Sequence, residues 1–141
     1  MSLDDNKALV LHIYDDLFNR GRLSLAGELI AADFISHAVP DGTPAGTEGI
    51  KGFITMLRAA CPDGRYVIED LIAEDDKVAA RITFSGTHCG PFLGITPTGK
   101  HVTQEQLHLI RIHGGKAVEQ WAIRDDADLA RQLGGSPQPA H

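Results

Sequence analysis

The chain changes its apolar period once, at Gly64, and that switch limits what it can fold into. Before it, Leu9, Val10, Ile13, Tyr14, Leu17 and Phe18 recur at helical spacing and predict an amphipathic helix over 3–18, closed by Asn19 and Gly21. A shorter helix is expected over 24–32, with Ser24 as its cap and Leu25, Leu29 and Ile30 facing inward. Residues 34–39 read as a short strand and the Pro- and Gly-rich 40–46 as a loop, after which Thr47 caps a third helix reaching Cys61. Beyond Gly64 the period is two, in segments 66–73, 77–88, 100–113 and 116–125. Helices followed by a run of strands bury their apolar faces by packing on one side of a sheet, so the expected class is α+β. A strongly curved sheet would leave a cavity between the layers.

The joints between strands fix how they pair. Asp75-Asp76 reads as a tight turn, and His113-Gly114-Gly115-Lys116 places Gly-Gly where a two-residue hairpin needs positive φ, so consecutive strands should run antiparallel. Residues 89–99 cannot continue a sheet and read as an ordered loop carrying Phe92 and Leu93. With 141 residues the chain suits one domain over 1–134, followed by a tail, 135–141, too poor in apolar residues to order itself. No apolar run approaches the roughly 20 residues that span a bilayer, so no membrane partner is expected. Ser2, Leu3, Asp4 and Asp5 lack the basic, apolar start of an export signal, which points to the cytoplasm. A net charge of -6 with scattered Lys and Arg disfavours nucleic acid, and Cys61 and Cys89 read as free thiols.

Counting outward from the Gly-Gly turn pairs Ile112 with Ala117 and hence His108 with Trp121, Gln106 with Ile123 and Gln104 with Asp125. One face then carries Gln104, Gln106, His108, Ile110, Glu119, Trp121, Ile123 and Asp125; the other carries Leu107, Leu109, Val118 and Ala122. The first set combines an aromatic with amides, imidazole and carboxylates, as a small-molecule cavity does, although a solvated sheet face would fit the same pattern. Trp121 and Ile123 favour the cavity. On the preceding strand Val78, Ala80, Ile82, Phe84 and His88 share a face, and His88, like His37, reads either as a structural residue or as part of a site. His88, His101, His108 and His113 show no metal-ligand spacing, so no metal is expected. Cys89 beside His88 would point to the opposite face, which removes its base. No phosphate loop, dinucleotide fingerprint or nucleophile elbow occurs.

Gly86-Thr87-His88, Gly90-Pro91-Phe92, Gly94-Ile95, Pro97-Thr98-Gly99-Lys100 and Gly115-Lys116 occur in order, followed by Glu119, Trp121, Asp125, Gln132, Leu133 and Gly134. With His37, the stretch from Gly46 to Gly49 and Pro62-Asp63 before them, roughly Leu9 to Gly134 resembles the SnoaL-like polyketide cyclase, or ester cyclase, family. The resemblance implies a cone-shaped fold of the nuclear-transport-factor-two-like kind. A curved antiparallel sheet would pack against three N-terminal helices around a pocket, with no metal or organic cofactor and usually in a homodimer or higher oligomer. It implies acid/base chemistry, with Asp125 as the acid/base of an intramolecular aldol closure on a small carbonyl or ester compound. His37 and His88 match the family's substrate-binding histidines, with His88 as the second catalytic group and His88 or His108 donating to the enolate, while the register adds Gln104, Gln106, His108 and Trp121 as substrate-binding residues. Asp126 is expected to point away, as a surface or capping residue. The same fold also hosts isomerases, hydrolases and modules that bind small molecules or proteins without catalysis. An epoxide hydrolase would need two carboxylates flanking an arginine, whereas the expected face supplies Asp125 and Glu119 but no Arg. The opposite face, with Leu107, Leu109, Val118 and Ala122, would serve self-association.

Overall fold

Ser2 starts the first helix by a reciprocal cap. Its Oγ accepts the Asp5 N–H at 3.0 Å, and the Asp5 carboxylate accepts the Ser2 N–H at 3.2 Å. The computed structural model, which describes residues 2–39, 42–92 and 94–134, shows this helix as α1 (Leu3–His12), continued by a wider π-helical segment over Ile13–Asn19. The expected stripe is buried throughout: Leu9, Val10, Ile13, Tyr14, Leu17 and Phe18 all lie in the core. The tail, 135–141, and Leu93 of the expected loop lie outside the described residues.

The second helix is much shorter than its spacing suggests. A single 3-10 turn, Leu23–Leu25, leads into α2 (Ala26–Leu29), and Ser24 does not cap it. Strand β1 (Ile30–Ser36) begins as soon as β-branched Ile30 turns extended. Helix α3 (Thr47–Ala60) starts at Gly46 rather than at a Thr47 cap, because the chain enters with φ +77° at Gly46. A Cβ there would lie 2.3 Å from the Ala32 carbonyl oxygen, so only glycine fits.

Strands β2 (Arg65–Glu74), β3 (Lys77–Thr87), β4 (His101–His113) and β5 (Lys116–Arg124) form successive antiparallel pairs. The sheet order is β1-β5-β4-β3-β2, and β1 lies parallel to β5, which makes the curved sheet mixed rather than wholly antiparallel. A hairpin cannot join β1 to β5, since α3 and three strands lie between them in sequence. The concave face of β3 presents Val78, Ala80, Ile82 and Phe84, all fully buried beneath Tyr14, Leu17 and Ile54 of the helices. Val78, Ile82 and Phe84 each contribute on the order of 1.5–3 kcal/mol by leaving water. Among the described residues no helix is long and apolar enough to cross a membrane. A further helix that the period did not announce follows β5, α4 (Asp126–Gln132), whose Leu129 packs with Leu133 on Val102 of β4.

The Gly-Gly turn forms as expected, with φ +61° and +78°, and Ile112 pairs with Ala117. The next pair is Arg111 with Glu119, so Val118 is an extra residue in β5 and makes a β-bulge. Every residue beyond it changes face. His108 pairs with Ala122 instead of Trp121, and Gln106 pairs with Arg124 instead of Ile123. The concave face therefore carries Gln104, Gln106, His108, Ile110, Gln120, Ala122 and Arg124, while Glu119, Trp121 and Ile123 join Leu107 and Leu109 on the convex face. Ala122 drops out of the expected outer set, and Val118 becomes the unpaired bulge residue.

Candidate active site

A cavity of about 520 Å³ opens between the concave face and α3. Phe53, Met56 and Leu57 of α3, Tyr66 and Phe84 of the sheet, and Pro91, Phe92 and Gly94 of the β3–β4 loop supply its apolar wall. Its polar groups are Gln104, Gln106, Arg124, Asp126 and the 37–39 stretch that follows β1. Among the described residues that line it, Asp126 is the one carboxylate. The bulge accounts for this, because alternation beyond Val118 turns Gln120, Ala122, Arg124 and Asp126 inward together.

Asp125 is exposed and does not line the cavity, which corrects the expected placement. Its carboxylate caps α4 instead, accepting the Asp128 N–H at 2.9 Å. Asp125 and Asp126 thus exchange the places that the unbulged register gives them. Helix α4 is held to the sheet by Gln132, whose amide donates to the Thr103 carbonyl at 2.8 Å and accepts the Thr103 N–H at 3.0 Å. Those backbone groups of β4 lie beyond the end of β5, and the glutamine satisfies them. The clamp ties the last turn of α4 to β4, and Gln104 reaches Asp126 in the first turn.

A directed hydrogen-bond chain ends on Asp126. The Tyr14 O–H donates to His108 Nδ1 at 2.6 Å, His108 Nε2–H to Gln106 Oε1 at 2.7 Å, Gln106 Nε2 to Gln104 Oε1 at 2.9 Å, and Gln104 Nε2 to Asp126 Oδ1 at 3.2 Å. Gln120 Nε2 backs the start of the chain, lying 3.2 Å from the Tyr14 oxygen and 3.0 Å from His108 Nδ1. Its own Oε1 accepts from Ser36 Oγ at 2.9 Å. Burial, with the charge of Arg124 adding to it, pushes the His108 imidazole down to about 3, and burial raises the Tyr14 phenol well above its ordinary range. A neutral His108 with its proton on Nε2 is the one tautomer that satisfies all these partners. Each member donates towards the cavity, so the last amide presents N–H to the carboxylate. Gln104 and Gln106 line the cavity; His108 lies behind them, beside a small void shared with Gln120 and Arg124.

The other expected site residues separate. Trp121 is on the convex face, stacked on His37 with ring centroids 5.3 Å apart and planes 14° from parallel. His37 contributes to the cavity rim, while its Nε2 meets Glu119 at 2.8 Å. That hydrogen bond, helped by Arg111, holds the Glu119 carboxyl below its usual range. His88 is fully buried but outside the cavity wall. Its Nδ1 accepts the Thr98 N–H at 3.2 Å and contacts Thr98 Oγ1 at 3.0 Å, while its main chain bonds to Lys100 and Gly99. It braces the β3–β4 loop that carries Pro91 and Phe92 through Nδ1, while its Nε2 is buried without a hydrogen-bond partner among the described residues. Among the described residues no group of three or more His, Cys, Asp or Glu side chains converges as a metal site.

The family model described as SnoaL-like polyketide cyclase matches residues 8–133. The chain is 31% identical over 124 residues to the nogalonic acid methyl ester cyclase of Streptomyces nogalater, covering 86% of this chain and 92% of that one. It is 29% identical over 132 residues to the aklanonic acid methyl ester cyclase DnrD of Streptomyces peucetius, covering 88% and 87%. Among solved structures it is similar to TsrD from Streptomyces laurentii, with a TM-score of 0.87 at 26% identity over 95% of this chain and 98% of that one. It is also similar to IdmH from Streptomyces antibioticus, with a TM-score of 0.79 at 33% identity over 92% and 98%.

Proposed function

Because the chain belongs to the SnoaL-like polyketide cyclase family, we propose that it performs acid/base chemistry on a small carbonyl or ester compound, with Asp126 as the proton acceptor. The observation that carries this reading is the position of Asp126, a carboxylate in a largely apolar cavity with one oxygen held by Gln104 and the other without a partner among the described residues. A hydrogen between a ketone and an ester is already acidic, so one positioned carboxylate can remove it. The enolate carbon then attacks a second carbonyl of the same molecule, which the walls formed by α3 and the β3–β4 loop hold in place. The relatives named as cyclases of nogalonic and aklanonic acid methyl esters support a substrate that carries an ester. An epoxide-hydrolase reading gains the arginine it lacked, Arg124, but among the described residues the cavity offers it one carboxylate where two are needed. A homodimer through the convex sheet face completes the proposal.

The test is exchange of α-hydrogen in deuterated water, followed by NMR over a panel of β-keto esters. Asp126→Asn should slow exchange by about 10² to 10⁴, the usual effect of losing a positioned acid/base group. Asp125→Asn should change it by a few-fold at most. The reverse order would return the base to Asp125 and sink the assignment. Absence of exchange with every compound that binds would leave a ligand-binding module.

A further inference from the structure

The cavity also holds a cation that proton abstraction by Asp126 does not use. Arg124 lies two residues before Asp126 on the same face and lines both the main cavity and the small void beside His108. Among the described residues the acceptor that its guanidinium meets is the Ala38 carbonyl oxygen, bonded to Nη2. That single bond leaves most of the donors of the fork unused. It also fixes the side chain against the 37–39 wall. The charge is felt deep in the site: it opposes the effect of burial at the Tyr14 and Tyr66 phenols and adds to it at His108. A guanidinium half-buried among aromatic walls, with no carboxylate partner among the described residues, is stabilised when an anion completes it.

We propose that Arg124 is a catalytic residue that binds the substrate carbonyl oxygen as it becomes an enolate, so that the ligand spans the gap between Asp126 and Arg124. The inference rests on the enolisation reading and adds its electrophilic half. In the step, the Asp126 carboxylate takes the proton from the carbon next to the carbonyl. The C–H electron pair forms the C=C bond, and the carbonyl π pair moves to oxygen. One negative charge leaves the carboxylate and one appears on the oxygen beside Arg124, so the net charge of the site is unchanged while its anion moves to the cation. Charge conservation favours this over a ligand with a permanent carboxylate at Arg124, which would leave the cavity with two anions against one cation. Donors fixed in advance where charge develops stabilise it without reorganisation.

The experiment uses 4-nitrophenol as an enolate mimic, because its phenol and phenolate absorb at different wavelengths. Bound to the wild-type protein, its ionisation midpoint should fall by about one pH unit or more, a tenfold preference for the anion. Arg124→Gln should abolish the fall, Arg124→Lys should keep part of it, and Asp126→Asn should preserve or enlarge it. Circular dichroism checks that each variant is folded, and Arg124→Lys serves if the glutamine variant is not. A fall that persists in folded Arg124→Gln overturns the proposal. In α-hydrogen exchange, Arg124→Gln should lower kcat with KM little changed. Dissociation constants of 2-naphthoic acid and its methyl ester form the second arm: acid binding tenfold tighter than ester, through Arg124, would assign the cation to a resident carboxylate and also overturn it. An Arg124-dependent fall in a protein that exchanges no α-hydrogen supports the anion site and fails the enolisation reading alone.

Discussion

His108 shows how one buried residue sets the state of a site it does not face. Its neutral form gives the chain from Tyr14 to Asp126 a single direction, since a doubly protonated ring would present donors to the Tyr14 hydroxyl and the Gln120 amide together. Burial, with Arg124 adding to it, lowers its folded-state value to about 3, while the unfolded chain has the ordinary histidine value near 6.5. Between those two values the unfolded state binds a proton that the folded state refuses. The stabilisation from this residue is therefore complete above about pH 6.5 and is lost progressively as pH falls towards 3, at roughly 1.4 kcal/mol per pH unit. Urea unfolding at several values between pH 7 and 4 should show an acid-side slope that is smaller by about one proton in His108→Gln. Equal slopes in the two proteins would mean that the imidazole titrates freely and that the chain lacks the direction assigned to it.

At the scale of elements, the Val118 bulge and the α4 cap decide which aspartate meets the cavity. Asp125→Ala removes a side-chain cap and should cost about 0.5–2 kcal/mol in chemical denaturation, with α-hydrogen exchange by Asp126 nearly intact. A loss of exchange as large as that of Asp126→Asn would show that the cap residue does chemistry. The helical stripe of α1, the period-two strands and the Gly-Gly turn were legible because each is a local pattern of side chains that the backbone repeats. The bulge was not, since Ala117 and Val118 suit a strand in either register and a bulge leaves no mark in composition. One clue was available: the slip by one residue is what places Glu119 opposite Arg111, where the two form an ion pair at 3.2 Å. Counting without it sent Trp121 inward and Arg124 outward, and so hid the cation of the site. Helix α4 was also signalled, by Asp125 three residues before Asp128 and by Arg131 and Gly134 at its far end, but its apolar face is only Leu129, Ala130 and Leu133. The parallel pairing of β1 with β5 rests on contacts distant in sequence, which no local pattern records.

For the whole molecule, the same bulge that builds the cavity gathers apolar side chains on the outside of the cone. Across the sheet the register aligns Ile72, Ala79, Leu109 and Trp121 in one row, and Leu107 with Ile123 in the next. Ile35 of β1 stands beside them, opposite Glu119. Ile123 is 74% exposed, Ile72 68% and Leu107 49%, so the rows form a continuous apolar strip rather than scattered single residues. Arg81, paired with Asp70 and Glu105, provides charge of both signs at its border. A strip of this kind, bordered by its own complementary charges, suits a two-fold contact in which each copy presents the same patch to the other. The wild-type protein should therefore sediment as a dimer at micromolar concentration. Ile123→Lys should shift it to monomer, because an ammonium placed in the strip would be buried without a partner. Since Ile123 points away from the cavity, the monomer should retain its fold by circular dichroism and keep the 4-nitrophenol shift assigned to Arg124. A wild-type protein that sediments only as monomer over that range, or an Ile123→Lys protein that remains dimeric, would remove the convex face as the interface.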